Sequence, residues 1–302
     1  MDLTAKDIQK ISDIVSFLKI SMNDYDKFTK IFHFFEQQGF HITRADYYSP
    51  IPVVKDLSDD IFSVKENISI DWNEDLQIHL LNELKGYSSE FRNLIDEKLF
   101  DMQNGAFATH DAPVYYSMIR HFKPSTIIEV GAGYSTILSS LAAAKNTNTT
   151  ITAIDPYVSA SLKSKIPDSV KLIEKRVQDI PISSFSNLSK NDILFIDSSH
   201  VCRVGSDVNF LYLEVLPLLN SGVLIHIHDI FLPRQYPKDW IKNDHRRFWN
   251  EQYLLNAFLI GNTEFEILLA NSYLGLKRPE LLKRLFETGL SAGGGSFWIR
   301  KK

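Results

Sequence analysis

The pattern of apolar positions divides this 302-residue chain near residue 105. Before that point, apolar side chains recur every three or four residues over 2–40 and 74–100, a spacing that predicts amphipathic helices. Thr4 is the expected N-cap of the first helix, and Gly39 ends the second apolar group. Tyr47 and Tyr48 precede two prolines, which predict an extended loop. The two rings would either form a lid over a bound ligand or dock the N-terminal part on the sheet.

From residue 124 onward, short β-branched runs alternate with helical patterns. The first five runs are almost entirely apolar, which is typical of a parallel sheet covered on both faces. The predicted strands are 126–130, 150–154, 170–173, 193–196, 223–227, 265–270 and 297–300, and the predicted helices are 136–144, 208–219, 248–259 and 280–286. We expect a doubly wound α/β domain over residues 106–302, preceded by a helical region over residues 1–105 that caps the active site or makes a homo-oligomer interface.

Composition and charge exclude several classes of protein. With 44% hydrophobic and 23% charged residues, the chain has enough apolar side chains for a large core and is not disordered. Its one cysteine, Cys202, excludes a disulfide scaffold and fits a reducing compartment. The net charge of −4 argues against a nucleic-acid partner. The sequence has no long apolar run and no signal-peptide pattern, so we expect a cytoplasmic protein with no membrane partner.

A glycine turn follows the first predicted strand and opens a helix. Glycines let the backbone turn tightly and approach a ligand, and a helix N-terminus offers free N–H groups. The dinucleotide pattern G-x-G-x-x-G fails, because Thr136 occupies the third glycine position. S-adenosylmethionine enzymes instead place an acidic residue two before the first glycine, where this chain has Glu129, and a carboxylate suits a cationic ligand. A purely structural turn is the alternative. The segment is Glu129-Val130-Gly131-Ala132-Gly133-Tyr134-Ser135.

The next two strands end in polar residues that suit the rest of a nucleoside. Asp155 lies 24 residues after Gly131, close to the spacing of about 20 at which an acidic residue takes the ribose hydroxyls. Pro156 follows it directly. Gln178 follows the third strand, where a polar side chain can hold an adenine amine. The alternative is that these residues only cap turns.

Histidines and carboxylates follow the fourth and fifth strands. Asp197 and His200 come after one, and His228 and Asp229 after the other, so we expect these four side chains to converge at one edge of the sheet. A neutral histidine can accept a proton from a hydroxyl, and two carboxylates can hold a divalent cation such as Mg²⁺. His226, inside the apolar strand, is interpreted as a core residue. A rival hypothesis places non-haem iron on His200, His228 and Asp229, although that triad usually occurs on β-barrels.

With these motifs in place, the chain resembles class I S-adenosylmethionine-dependent methyltransferases, in particular a bacterial branch similar to metal-dependent O-methyltransferases that act on sugars and natural products. The resemblance rests on Ile-Asp-Ser-Ser-His after strand four, His-Asp-Ile after strand five, and segments at 107–112, 115–120, 248–253 and 293–298. It implies a Rossmann-like seven-stranded sheet in the order 3-2-1-4-5-7-6 with the last strand antiparallel.

The resemblance also implies roles for individual residues. The turn from Glu129 to Ser135 would surround the methionine part of S-adenosylmethionine, and Asp155 and Gln178 would hold the ribose and the adenine. Asp111 and Tyr115, on a helix before the first strand, would close over this cofactor. Asp197 would bind a metal and His200 would act as the base.

The expected activity is transfer of a methyl group, by in-line displacement, to a hydroxyl of a small molecule or glycan. His200, or a metal on Asp197 and Asp229 with His228 as a further ligand, would assist removal of the proton. An N-methyltransferase, a non-catalytic S-adenosylmethionine-binding protein and the iron oxygenase are the alternatives. Residues 231–240 would build the acceptor side, with Arg234 and Lys238 facing an anionic acceptor. Arg246 and Arg247 are expected at a solvated helix start.

Overall fold

The computed structural model describes residues 2–64, 69–242, 246–286 and 292–302. The chain forms two compact units, Met1–Leu57 and Ser58–Lys302. The helices are α1 Ala5–Ser21, α2 Tyr25–Gln37, α3 Glu74–Leu84, α4 Ser88–Asp96, α5 Asp111–Phe122, α6 Tyr134–Ala143, α7 Ala160–Lys163, α8 Ser183–Ser186, α9 Asp207–Phe210, α10 Lys238–Lys242, α11 Glu251–Leu259, α12 Asn271–Lys277 and α13 Pro279–Leu285. The strands are β1 Thr126–Val130, β2 Thr150–Ile154, β3 Val170–Ile173, β4 Ile193–Ile196, β5 Leu224–Ile227, β6 Phe265–Ala270 and β7 Phe297–Lys301.

The first unit consists mainly of α1 and α2. Thr4 caps α1 in a reciprocal arrangement in which its hydroxyl accepts from the Asp7 N–H and its own N–H donates to the Asp7 carboxylate. Asp24 caps α2 by accepting from the Lys27 N–H at 3.0 Å. Two helices therefore fill most of residues 2–40, as predicted. Tyr47 and Tyr48 are almost fully exposed, and their interpretation as a lid stays a prediction.

The second unit is built on a seven-stranded sheet in the order β3-β2-β1-β4-β5-β7-β6. Strands β1 to β5 are parallel, and β7 runs antiparallel to both β5 and β6. The apolar runs read from the sequence form the buried centre of this sheet, because β1, β4 and β5 are covered on both faces. The predicted fold class and strand order are confirmed.

Two predicted helices differ in their bounds. The pattern over 208–219 continues α9 as a π-helical segment, Leu211–Val215, and a 3₁₀ turn, Leu216–Leu218. Pro217 has no N–H to continue an α-helical ladder, which accounts for the change. The helix predicted from residue 248 begins at Glu251 instead.

Helices α3 and α4 belong to the second unit. They pack against α5 and β6, and the buried Gln77 side chain accepts from the Ala270 N–H at 2.9 Å. Tyr116 and Arg120 of α5 both donate to the Glu90 carboxylate. The two compact units therefore meet in the sequence between residues 57 and 58. The predicted boundary between a helical N-terminal region and a methyltransferase domain, near residue 105, stays a prediction. Across the described ranges, no helix combines the length and apolar content that a bilayer crossing requires.

Candidate functional site

The glycine turn after β1 is shaped by close backbone contacts. Gly131 has φ +90°, and a Cβ atom there would lie 2.1 Å from the Asp197 carbonyl oxygen, so only glycine fits. The Gly131 N–H donates to the Ile154 carbonyl at 2.9 Å, and the Ala132 N–H donates to Asp155 Oδ2 at 3.0 Å. The turn thus joins the carboxyl ends of β1, β2 and β4.

A cavity of about 550 Å³ opens at these strand ends, a volume typical of small-molecule sites. Four of the predicted cofactor residues line it, namely Gly131, Asp155, Pro156 and Gln178. Asp197 lines it as well, and Gln178 is held in place by donating to the Gly205 carbonyl at 2.9 Å. The order β1-β4 marks the topological switch point of the sheet, where ligands of open α/β folds bind.

Glu129 lies inside the protein rather than at the cavity wall. Its carboxylate accepts from the hydroxyls of Ser135, Thr136 and Ser139, all on α6, and the residue is 0% exposed. Burial raises the pKa of Glu129 to about 8, although the Ser135 and Thr136 hydroxyls act in the opposite direction. Glu129 therefore fixes the first turn of α6 against β1.

The rest of the turn follows from that anchor. Gly133 precedes α6, where its N–H donates to Thr136 Oγ1 at 2.9 Å. Tyr134 is the first helical residue, and the Ser135 side chain points at Glu129. The Ala132 N–H connects this segment to the end of β2 by donating to the Asp155 carboxylate.

Asp111 and Tyr115 of α5 are both buried. Asp111 accepts from the backbone N–H groups of Gly295 and Ser296, at 2.9 and 2.8 Å, and from Asn271 at 2.8 Å. Burial raises the pKa of Asp111, but His228 and these hydrogen bonds outweigh it and lower that pKa to about 2. The Tyr115 ring packs between Phe195 and Trp298 in the core. Asp111 thus ties α5 to the start of β7.

Asp197, His200 and Asp229 converge beyond β4 and β5, as predicted. His200 Nε2 lies 3.1 Å from Asp197 Oδ1 and 3.8 Å from Asp229 Oδ2, and one ligand atom of each residue could hold a common metal ion. His228 Nδ1 lies 3.5 Å from Asp197 Oδ1 and 3.9 Å from Asp229 Oδ2. His226 is a fully buried core residue that hydrogen-bonds Ser296 at 2.8 Å.

The sequence analysis missed Glu251, the buried partner of His200. Glu251 Oε2 lies 2.8 Å from His200 Nδ1, and the residue is 0% exposed. The N–H groups of Asn250 and Glu251 also donate to the His200 carbonyl, at 3.0 and 3.2 Å. The segment 248–253 carries part of the family resemblance, yet 51 residues separate Glu251 from His200 and no local pattern joins them.

The electrostatics of this cluster favour the charged forms of His200 and Asp197, whereas burial raises the pKa of Asp229 and that of Glu251. Burial lowers the pKa of His200, but its contacts with Asp197 and Glu251 outweigh burial and raise that pKa to about 10. Burial raises the pKa of Asp197, but His228 and His200 hold it well below its usual range. Without a further ligand, His200 therefore carries a proton at neutral pH and is a hydrogen-bond donor.

An aromatic wall made of Phe231, Trp240 and Trp249 borders the cluster. The Trp249 ring centre lies 4.2 Å from that of His200, and Trp240 packs on Trp249 at 5.3 Å and on Phe231 at 5.4 Å. Arg247 lies over both indoles, with its guanidinium carbon 4.6 and 4.9 Å from their centres. The expectation of a solvated helix start there is wrong for Arg247, because α11 begins four residues later and two indoles hold the side chain.

Lys238 and Arg234, the two basic residues predicted to face an anionic acceptor, have different surroundings. Lys238 forms an ion pair with Asp59 at 2.8 Å, so its charge is already compensated. Arg234 is exposed, and its Nα donates to the Phe231 carbonyl at 2.8 Å. A role of either residue toward an anionic acceptor stays a prediction.

Comparison with known proteins places this site in a family. A family model for a methyltransferase domain matches residues 128–230. An uncharacterized protein of Archaeoglobus fulgidus is 32% identical over 164 residues, which span 49% of this chain and 73% of that protein. Among solved structures, the Streptomyces achromogenes O-methyltransferase TomG, of tomaymycin synthesis, is 14% identical with a TM-score of 0.41 and covers 80% of this chain and 92% of its own. A Podospora anserina methyltransferase is 16% identical with a TM-score of 0.42 and covers 74% of this chain and 87% of its own.

The matched domain runs from β1 to the residue after Asp229, so it contains the glycine turn, Asp155 and the polar ends of β4 and β5. The matched domain includes the motifs after strands four and five on which the sequence resemblance rests, whereas the other four resembling segments, 107–112, 115–120, 248–253 and 293–298, lie outside it. The chain belongs to the class I S-adenosylmethionine-dependent methyltransferases.

Proposed function

We propose that this enzyme methylates a hydroxyl group of a small-molecule or sugar acceptor. The observation that carries the proposal is the position of Asp197. Asp197 lines the cavity at the ends of β1, β2 and β4, and its carboxylate lies 3.1 Å from His200 and 3.5 Å from His228. Asp197 therefore connects the cavity proposed for the methyl donor with the two histidines that could accept or donate a proton.

The cavity suits S-adenosylmethionine in its lining groups and its volume. Asp155 offers a carboxylate for the ribose hydroxyls, Gln178 offers an amide for the adenine, and Gly131 leaves room that a side chain would fill. Glu129 and Ser135 would act indirectly, by holding the turn at the methionine end. Asp111 and Tyr115 would act in the same way, by fixing α5 beneath the site. When bound, S-adenosylmethionine supplies an electrophilic methyl group.

The acceptor would lie between the polar cluster and the aromatic wall. A sugar ring or another flat ligand stacks well on an indole face, and Trp249 presents its ring beside His200. A hydroxyl held there needs help in losing its proton, because an alcohol is a weak nucleophile at neutral pH. Because His200 is protonated at neutral pH without a further ligand, Asp197, His200 and Asp229 would supply that help through a bound cation. His200 would act as the base only in its neutral form, above its raised pKa.

Methyl transfer from labelled S-adenosylmethionine to a panel of hydroxyl-bearing and amine-bearing small molecules tests the proposal. We expect transfer to hydroxyl acceptors, and a loss of more than tenfold in Asp197→Ala and in His200→Ala with S-adenosylmethionine still bound in calorimetry. Unchanged turnover in both variants would remove the assignment of this cluster. Transfer to amines alone would favour the N-methyltransferase, and binding of S-adenosylmethionine with no transfer to any acceptor would favour a binding protein.

A further inference from the structure

Arg247 is a cation that aromatic rings hold in place. Its guanidinium carbon lies 4.6 Å from the centre of the Trp240 ring and 4.9 Å from that of Trp249, and the two indole planes are nearly perpendicular, at 82°. The Arg247 backbone N–H donates to the Trp240 carbonyl at 2.8 Å, which fixes the backbone that carries the side chain. The guanidinium therefore lies in a corner closed on two sides by indoles.

The charge of Arg247 has no anionic partner among the described residues. Over 2–64, 69–242, 246–286 and 292–302, no carboxylate or carbonyl accepts a hydrogen bond from its side chain, and the residue is half-exposed. A guanidinium that contacts aromatic faces keeps its N–H groups, which lie in its own plane, available to an anion. The corner thus presents a positioned cation with hydrogen-bond donors available to a ligand.

The charges around this corner favour a carboxylate over a phosphate as the ligand. One guanidinium matches the single charge of a carboxylate, and its planar fork matches the two carboxylate oxygens. A phosphate dianion calls for a second cation. The two lysines of α10, Lys238 and Lys242, are already paired with the Asp59 carboxylate, at 2.8 and 2.7 Å.

The corner lies beside the proposed acceptor site. Trp249 contacts the guanidinium and also packs on His200, with its ring centre 4.2 Å from that of the imidazole. The guanidinium carbon and the His200 ring centre are therefore at most about 9 Å apart. If a hydrogen bond of about 3 Å is allowed at each end, a few ångströms remain, which one six-membered ring can span.

The polar cluster does not offer its cation to the same anion. Asp197 Oδ1 and Glu251 Oε2 lie 3.1 and 2.8 Å from the two ring nitrogens of His200, so both nitrogens already face a carboxylate. An acceptor with a hydroxyl at one end and a carboxylate at the other would therefore bind in one orientation, with the hydroxyl toward Asp197 and the carboxylate toward Arg247.

We propose that Arg247 selects a single-ring hydroxy acid as the methyl acceptor, by binding its carboxylate while Trp240 and Trp249 hold the guanidinium. The inference rests on the proposed function and deepens it, because it names the class of acceptor. It assigns the recognition of an anion to a residue outside segment 231–240, where the sequence predicts Arg234 and Lys238 for that role.

Matched pairs of acids and amides test the charge of the acceptor. With the full chain, methyl transfer from labelled S-adenosylmethionine is measured for glucuronate against glucuronamide and for meta-hydroxybenzoate against meta-hydroxybenzamide. We expect kcat/KM to be at least tenfold higher for the acid of at least one pair, because the amide lacks the charge that the guanidinium binds. Calorimetry in the presence of S-adenosylhomocysteine measures the same preference as binding affinity, without turnover.

Variants separate recognition of charge from a structural role. Arg247→Gln should lower kcat/KM for the acid at least tenfold, through KM, and change that for the amide by less than about twofold. Arg247→Lys keeps the charge and should recover part of the preference for the acid. Arg246→Gln is the matched control, because it removes the same charge from an adjacent exposed residue that bonds a backbone carbonyl, and it should change neither value.

Thermal unfolding and S-adenosylmethionine affinity report whether each variant is folded, and the comparison of acid with amide in the native enzyme decides the question if Arg247→Gln is not. Equal kcat/KM and equal affinity for acid and amide in both pairs would overturn the inference. Losses of the same size for acid and amide in Arg247→Gln would do so too, since a structural role affects both alike.

Failure of this inference and failure of the proposed function give different results. Methyl transfer to hydroxyls without a preference for acids removes the role of Arg247 and leaves the function. Tighter binding of acids than of amides, lost in Arg247→Gln, with no methyl transfer to any acceptor, leaves the role of Arg247 and removes the function.

Discussion

Glu129→Gln tests whether the acidic residue of the glycine turn recognises the cofactor or builds the turn. Glutamine keeps the shape of the side chain, and its amide oxygen can accept from Ser135 and Thr136 as the carboxylate does. Its amide nitrogen takes the place of the oxygen that lies 3.4 Å from the Ser139 hydroxyl. We therefore expect a folded variant that differs from the native protein mainly in charge.

The magnitude follows from the pKa of Glu129, which burial raises from 4.5 to about 8. Between these two values the folded protein holds a proton that the unfolded chain has released, so the free energy of unfolding falls as the pH rises through this window. Each pKa unit corresponds to about 1.4 kcal/mol, which gives a loss on the order of 5 kcal/mol across the window. Glu129→Gln removes that loss. Within this window, the free energy of unfolding of the variant should therefore rise relative to that of the native protein by about 1.4 kcal/mol per pH unit.

Urea unfolding, followed by tryptophan fluorescence from pH 5 to pH 9, measures this difference. All four tryptophans lie in the second unit, so the signal reports the unit that contains Glu129. Glu90→Gln is a control of opposite sign. The Arg120 hydrogen bond lowers the pKa of Glu90 below 4.5, so that variant should be less stable than the native protein by a constant amount from pH 5 to pH 9. The deficit should vanish only when the measurement is extended below pH 4.5.

Parallel pH profiles of Glu129→Gln and the native protein would refute the buried, protonated carboxyl. Cofactor affinity decides the second half of the question. Because Glu129 is enclosed by hydroxyls of α6, we expect the affinity for S-adenosylmethionine to change by less than about threefold. A drop of tenfold or more, about 1.4 kcal/mol, would show that its charge acts on the cofactor.

Three other substitutions probe the two sides of the site. Gly131→Ala places a Cβ 2.1 Å from the Asp197 carbonyl oxygen at φ +90°, so thermal unfolding should show a loss above about 2 kcal/mol and calorimetry should show no S-adenosylmethionine binding. Asp155→Ala should weaken that binding by about tenfold to a hundredfold through lost hydrogen bonds to a charged group, and unchanged affinity contradicts its ribose role. Trp249→Ala removes the ring that packs on His200 at an interplanar angle of 39° and should raise the KM for the acceptor about three- to tenfold with unchanged affinity for S-adenosylmethionine. Weaker binding of S-adenosylmethionine instead would argue against an acceptor wall.

The fold was predictable because its signals are local. Each strand of the parallel sheet is a short apolar run, and burial on both faces requires that composition wherever the chain passes through the core. The ends of β1, β2, β4 and β5 were predictable for the same reason, since parallel strands place their carboxyl ends at one edge. Asp197, His200 and Asp229 converge as that rule demands. The antiparallel last strand came from the family resemblance alone.

The orientation of side chains was not predictable, because it depends on partners far away in the sequence. The position of Glu129 suits a ligand-facing carboxylate, yet three hydroxyls in the first two turns of α6 hydrogen-bond it inside the protein. Asp111 meets Gly295 across 184 residues, and His200 meets Glu251 across 51. Residue type and spacing predict that a polar side chain lies at a strand end. Its hydrogen-bond partners, which are distant in the sequence, determine whether that side chain faces a ligand or the protein interior.

These distant contacts also explain how an unfavourable local geometry persists at the site. The left-handed backbones of His200 and Asp229 each cost on the order of 1 kcal/mol. The loop that carries His200 is held because its carbonyl accepts from two N–H groups at the start of α11. The loop that carries Asp229 is held because the Ile230 N–H donates to the Gly295 carbonyl, and a Cβ on Gly295 would lie 2.8 Å from the Asp229 Cα. Residues after β4 and β5 are therefore oriented by α11 and by the approach to β7, which makes the C-terminal part of the second unit the support of its polar cluster.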